Sequence, residues 1–227
     1  MERVKEWLLD VLYPEGNACH LCGRGLEEDG ILCHDCRCSL LVSRFKPDRI
    51  AAGERHGHIT QCLSAFPHVG EARKLVHFLK YESDTAAASL LGETMAYAFV
   101  EFGASSGDFD FVMPVPLHSS RLEERGYNQA LLLAKAVAFH LSLPVMHGNL
   151  LRIRPTETQL DRDRTARLEA MRSAFCVRAP LAVHEKRILL VDDVLTTGAT
   201  AMSCARVLTE ADAANVTLLT VCRVEKH

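Results

Sequence analysis

A parallel α/β sheet flanked by helices, preceded by a small four-cysteine metal module, is the fold class that the sequence predicts. The apolar run 188–191 and the strand pattern 215–221 alternate with helical patterns in the C-terminal half. Cys19-x2-Cys22 and Cys33-x2-Cys36 form a double knuckle near the N-terminus. The 227 residues, 48% hydrophobic and 24% charged, suffice for one ordinary core plus an appendage. This composition excludes a coiled-coil rod, a collagen-like repeat and wholesale disorder.

Taken in order, Val4, Trp7, Leu8, Val11 and Leu12 recur at helical spacing, and the pattern stops at Pro14-Glu15-Gly16. Residues 17–38 lack hydrophobic period and read as a metal-stabilised loop module. Polar, Gly-bearing stretches around Pro47-Asp48-Arg49 and Gly53 to Gly57 read as a linker, which divides the chain into an N-terminal helix and metal module, 1–58, and an α/β domain, 59–227. Helices are predicted over 71–81, with Leu75, Phe78 and Leu79 on one face, over 85–102, over 129–141 and over 199–211. Strands are predicted over 109–114, 188–191 and 215–221, the last two joined through a helix as a right-handed β-α-β unit. There is no internal repeat.

Charge limits the partners. With 26 Lys+Arg against 29 Asp+Glu the formal charge is −3, so binding of nucleic acid or phosphate must rest on a local basic patch. Residues 1–62 hold eight basic and ten acidic residues, which weakens a nucleic-acid role for that module. Glu2, Arg3, Lys5, Glu6 and Asp10 leave no apolar core for a secretory signal, and no run approaches the roughly 18 apolar residues that span a bilayer. The expectation is a cytoplasmic protein with no integral membrane segment.

Nine cysteines, four of them in one tight pattern, argue against a secreted disulfide framework. A two-residue spacer closes a turn that directs both thiolates of a knuckle at one point, and four thiolates in a tetrahedron are the preference of Zn2+. A site closed by Cys19, Cys22, Cys33 and Cys36 leaves no position for water or substrate, so the zinc is expected to be structural. His20 and His34 lie inside the knuckles and are not expected to ligate. Cys38, Cys62, Cys176, Cys204 and Cys222 read as buried hydrophobes or spare thiols.

The densest chemistry lies in the segment Ile188-Leu189-Leu190-Val191-Asp192-Asp193-Val194-Leu195-Thr196-Thr197-Gly198-Ala199-Thr200. An apolar strand is predicted to end in two carboxylates, and a hydroxyl-rich turn then feeds a helix. In an open parallel sheet the carboxyl ends of the strands form the ligand crevice, and helix N-termini there offer unpaired N–H groups to anions. A phosphate suits the turn of Thr196, Thr197, Gly198, Ala199 and Thr200, while Asp192 and Asp193 can accept from vicinal sugar hydroxyls. No Walker-type lysine is present, so a nucleotide triphosphate is not the natural guest. Pro116, Leu117 and His118 follow a predicted strand, and Arg121 and Arg125 beyond them offer forked, permanently charged donors for a second oxyanion. Between residues 150 and 178 seven Arg and no Lys face four acids, reversing the sign of the chain locally.

The two cysteine knuckles, Pro114-Val115-Pro116-Leu117-His118, Arg125-Gly126-Tyr127-Asn128-Gln129, Gln159 and Val191 to Thr200, in this order, resemble the competence protein F (ComF) family almost end to end. The segment at 188–200 resembles the phosphoribosyl-pyrophosphate (PRPP) motif of type I phosphoribosyltransferases. The resemblance implies a zinc module joined to a type I phosphoribosyltransferase-like domain. In it Thr196 to Thr200 hold the 5-phosphate, Asp192 and Asp193 the ribose, and Pro116 to His118 with Arg121 and Arg125 the pyrophosphate, with Mg2+ accompanying PRPP. It implies a lid carrying Gln159, Arg164 and Arg167. Where the lid is expected to read Arg-x-x-Asn, this chain has Arg167-Leu168-Glu169-Ala170.

Two functional classes follow. One is a protein that handles single-stranded DNA during natural transformation, with an import-linked helicase as partner. The other is an enzyme that transfers ribose 5-phosphate from PRPP to an unidentified nitrogen acceptor. Thr196 stands where purine-salvage relatives carry an acid able to handle a base proton, so the sequence offers no general base.

Overall fold

The structure, a computed structural model, describes residues 18–26, 30–45, 57–81, 85–154 and 174–225. The predicted N-terminal helix, most of the predicted linker and the lid residues Gln159, Arg164 and Arg167 lie outside the described residues. Among the described residues the chain forms α1 (His34–Val42), β1 (Gln61–Pro67), α2 (Gly70–Tyr81), α3 (Thr85–Glu101), β2 (Phe111–Pro114), α4 (Ser119–Arg125), α5 (Gln129–Leu141), β3 (Leu150–Arg152), β4 (Phe175–Val177), β5 (Arg187–Leu195), α6 (Ala199–Glu210) and β6 (Asn215–Arg223).

Strands β1, β6, β5 and β2 form one sheet in that order, and every neighbouring pair is parallel. The expected β-α-β unit is present as β5-α6-β6. The central strands are apolar on both faces, as a sheet covered on both sides requires. On one face Leu189, Val191, Leu219 and Val221 meet α2, α3 and α5 through Leu75, Leu79, Leu91, Phe99 and Leu133. On the other, Ile188, Leu190, Val216 and Leu218 meet α6 and the antiparallel pair β3–β4 through Cys204, Leu208, Leu150 and Phe175. Each fully buried large side chain contributes about 1.5–3 kcal/mol of transfer free energy.

Several elements depart from the sequence reading. Strand β5 does not stop at Val191 but runs to Leu195, because β6 continues the ladder beside it, with Asp192 opposite Thr220 and Leu195 opposite Arg223. A helix over 34–42 begins inside the 17–38 stretch read as loop, because Cys33 takes the N-cap position and Leu40 is drawn into the main core. Strand β2 begins at Phe111, since Ser105 and Asp108 close a capping box that turns the chain just before it. Strand β1, helix α4 and the β3–β4 pair have no counterpart in the predicted elements.

Helices α3 and α5 approach most closely at Gly92. A β-carbon there would lie 2.3 Å from the Ala136 Cβ and 3.3 Å from its Cα, with no flexible side chain able to yield. Gly92→Ala is therefore expected to destabilise the fold by about 1–3 kcal/mol, despite alanine's better helix propensity. Urea unfolding followed by circular dichroism checks this, and a stabilised variant would contradict the close approach.

Candidate functional site

The first cysteine knuckle is a tight turn. Ala18 bridges to Gly25, the Cys19 N–H donates to the Arg24 carbonyl at 2.7 Å, and the Gly23 N–H donates back to the Cys19 carbonyl at 2.7 Å. Gly23 has φ 73°, which a side chain would strain. The second knuckle enters α1, with Cys33 at the N-cap and Cys36 in the first turn. All four sulfurs lie within 4.8 Å of one another, and those of Cys22 and Cys33 are 3.7 Å apart. A tetrahedral ion with bonds of about 2.3 Å needs sulfurs about 3.8 Å apart, so the quartet fits such an ion.

The thiols also show why a cation belongs there. Burial opposes the Cys19 thiolate, yet N–H groups from Cys33, Cys22 and Leu21 outweigh it and bring the group to about 6. Cys36 is driven strongly upward, first by burial and then by the neighbouring sulfurs. The Cys19 thiolate is favoured and the Cys36 thiolate opposed, a conflict that a divalent ion removes. His20 turns away to pack edge-on against Phe78 at 5.8 Å, and Asp35 pairs with Arg24. Of the remaining cysteines, Cys62, Cys204 and Cys222 are buried and Cys176 is half-buried. Cys38 is exposed, a spare thiol on the outer face of α1 beside His34.

The second site lies at the carboxyl end of β5. Strand β2 ends at Pro114, opposite Val191, and the Val115 N–H donates to the Val191 carbonyl at 2.9 Å. Beyond that point β5 has no partner from β2, so the acid pair stands at the mouth of a notch. The loop leading from β2 to α4 starts alongside.

Asp192 and Asp193 face opposite sides of the sheet, as neighbours in a strand do. Asp192 looks toward α6. It lines a small concavity of about 50 Å³ together with Thr196, Gly198, Ala199, Thr200 and Thr220. Burial, and then repulsion from Asp193, raise the Asp192 carboxyl to about 8. Gly198 has φ 75° and occupies the N-cap of α6 without a side-chain hydrogen bond, which leaves first-turn amides open toward the concavity. Thr197 Oγ1 accepts from the Ala199 N–H at 3.4 Å. The arrangement offers amides and hydroxyls for an anion and a carboxyl for a hydroxyl-bearing group beside it.

Asp193 is buried on the other side. Its Oδ2 lies 3.0 Å from Lys80 Nζ at the end of α2 and accepts from Gln129 Nε2 at 3.2 Å. Neither contact is visible in the motif itself. Gln129 stands at the start of α5, where Asn128 caps the helix by accepting from the Ala130 N–H at 3.0 Å and donates to the Val115 carbonyl at 3.0 Å. Lys80 lies in a helix whose sequence shows only an apolar face.

Of the residues expected to bind a second oxyanion, His118 caps α4 by accepting from the Ser120 N–H at 3.3 Å. Arg121 is exposed, and Arg125 lies 5.7 Å over the Tyr81 ring with Nη1 buried and without a hydrogen-bond partner. Pro116 and Leu117 are half-buried in the loop. None of the five lines the concavity at Asp192. A larger concavity of about 670 Å³ lies between the metal module and α3, lined among others by Arg24, Ile31, Arg37, Leu90 and Glu93, away from both strand-tip acids.

No protein-family profile matches the chain. The chain is similar to several curated proteins. It is 31% identical over 215 residues to competence protein ComFC of Bacillus subtilis, spanning 92% of this chain and 78% of that protein. DNA utilization protein YhgH of Salmonella typhimurium is 28% identical over 207 residues, 90% of this chain and 89% of that one. Competence protein F of Haemophilus influenzae is 35% identical over 102 residues, 43% of each chain. Among solved structures, the glutamine PRPP amidotransferase of B. subtilis has TM-score 0.42 and 20% identity over 62% of this chain and 29% of its own. Orotate phosphoribosyltransferase of Aeropyrum pernix has TM-score 0.34 and 17% identity over 66% of this chain and 76% of its own. With more than nine-tenths of its length aligned to ComFC and the cysteine quartet and strand-tip acids assembled as described, the chain belongs to the ComF family of competence proteins.

Proposed function

We propose that this protein binds a 5-phosphorylated ribose, PRPP in particular, at the carboxyl end of β5 and uses that site while handling single-stranded DNA in the cytoplasm. The observation that carries the reading is the pairing of the Asp192 carboxyl with the N-terminus of α6, where the N-cap Gly198 offers no side chain, around one concavity. The names of the relatives, DNA utilization protein and competence protein, support the DNA half. Among the described residues no helix is long and apolar enough to cross a membrane.

Zinc is the ion that Cys19, Cys22, Cys33 and Cys36 would hold, bracing the module against the main core through Leu40. Magnesium would accompany PRPP, with Asp192 as the acid at the site not engaged by a lysine. It would supply charge neutralisation on the pyrophosphate. Pro116, Leu117, His118, Arg121 and Arg125 are the residues proposed for that pyrophosphate, Arg125 for its unsatisfied guanidinium nitrogen. Gln159, Arg164 and Arg167 are proposed for a covering loop. An import-linked helicase is the proposed protein partner, and 58/59 the proposed domain boundary.

Calorimetry of zinc-loaded protein with PRPP and magnesium tests the sugar-phosphate half. Micromolar affinity, about −8 kcal/mol, is expected. Absence of heat with both PRPP and ribose 5-phosphate would sink it. Pyrophosphate release that depends on an added nitrogen acceptor would instead favour transfer chemistry over binding alone.

A further inference from the structure

Asp193, expected with Asp192 at the ribose hydroxyls, is buried and engaged within the fold. Lys80 reaches it from the last turn of α2, a helix anchored on the apolar face by Leu75, Val76 and Leu79. The side chain of Asp193 is 8% exposed and that of Lys80 27%, so the pair is screened from solvent on the carboxylate side. A buried carboxylate stripped of its cation leaves a charge without compensation. Gln129 adds a donor to the same Oδ2, while its own Oε1 is buried without a hydrogen-bond partner. The other groups around the pair are His68, which precedes α2, Cys222 of β6 and Asp192 of β5. None of these supplies a second cation at contact distance among the described residues.

The end of α2 is also pinned to the segment that enters α5. Tyr127 Oη donates to the Leu79 carbonyl at 2.6 Å, one residue before Lys80. Arg125 lies over the ring of Tyr81, one residue after it. Lys80 is thus held on both sides by the Arg125–Gln129 segment, and Gln129 of that segment shares its acceptor atom. The lysine is part of a fixed frame and not a mobile surface group.

We propose that Lys80 is a positioning residue of the sugar-phosphate site: by holding the Asp193 side chain in place on the far face of β5, it fixes the backbone that presents Asp192 to the ligand. The proposal rests on the sugar-phosphate reading above and adds a residue that the Asp-Asp and Thr-Gly motif does not contain. The Asp193 N–H donates to Asp192 Oδ1 at 2.9 Å, so a shift of Asp193 is transmitted directly to the ligand-facing carboxyl.

The test uses full-length, zinc-loaded protein and three variants: Lys80→Met, Lys80→Arg and Lys80→Met/Asp193→Asn. Affinity for PRPP with magnesium is measured from about pH 6 to about pH 9, with metal content and circular dichroism as controls for folding. Lys80→Met is expected to weaken binding about tenfold and to alter the pH profile, Lys80→Arg to recover most of the affinity, and the double variant to be no weaker than Lys80→Met. The double variant lacks the buried unpaired charge, so it keeps the test readable if Lys80→Met folds poorly. Lys80→Met that binds within twofold of wild type across the range, or Lys80→Arg no better than Lys80→Met, overturns the positioning role alone. Wild-type protein that binds neither PRPP nor ribose 5-phosphate overturns both this role and the reading beneath it.

Discussion

Cys33→Ser is expected to release the metal and to lower the thermal midpoint by about 10 °C. Serine offers a poor ligand at neutral pH, and three remaining thiolates cannot close a tetrahedral site. The loss spreads because Cys33 is also the N-cap of α1, and Leu40 of that helix is buried in the main core with Leu75, Leu79 and Phe99. A loss of roughly 3–4 kcal/mol in a domain of this size corresponds to the stated shift. Mass spectrometry under native conditions should find about one ion per wild-type chain and none in the variant. Equal metal content in the two, or an unchanged midpoint, would show that the quartet does not brace the fold.

The second large effect is expected from Asp192→Asn, which should weaken PRPP binding by about a hundredfold, near 2.7 kcal/mol. Asparagine keeps the size of the side chain but cannot become the anion that accepts from two hydroxyls. The raised Asp192 group gives a further readout. Because its folded value, about 8, lies above the ordinary 3.8, its contribution to stability is fully present below about pH 4 and is lost as pH rises toward 8. Wild-type stability should therefore fall relative to Asp192→Asn across that interval. A ligand that favours the ionised form should expel a proton near neutrality, so binding heat should depend on the buffer in wild type and not in the variant. Parallel pH curves for the two proteins would contradict the assigned burial.

Much of the fold could be read from sequence where a single periodicity dominated. Helix α5 is found over the predicted residues because Asn128 caps it and Leu133, Val137 and Leu141 recur on one face. Strand β1 escaped because both its faces are covered: Cys62, Leu63, Ser64, Ala65 and Phe66 are all buried, so no alternation marks it. Its one buried polar member, Ser64, is satisfied not by a local partner but by Thr220 at 2.7 Å across the sheet. Helix α1 was masked by cysteine and charge, its apolar content reduced to Leu40 on the buried side.

The candidate site divides along the same line. The end of β5 and the loop after it are contiguous, so their acids, threonines and Gly198 could be read together. The partners of Asp193 could not, because Lys80 and Gln129 arrive from other helices, and long-range pairing leaves no trace in spacing. The length of β5 was misjudged for a related reason: what carries the strand past Asp193 is the continuation of β6, not the polarity of its own residues.

One contact ties the cysteine module to the rest of the molecule in a way that bears on solubility. Strand β1 is an outer member of the sheet, and the Phe45 N–H, just past α1, donates to the Ala65 carbonyl at 3.0 Å while Arg223 lies over the Phe45 ring at 5.3 Å. Chelation that loosened the module would uncover that border and leave main-chain acceptors free to recruit another molecule's strand. Metal starvation should thus appear first as self-association at protein concentrations where the loaded form remains dispersed.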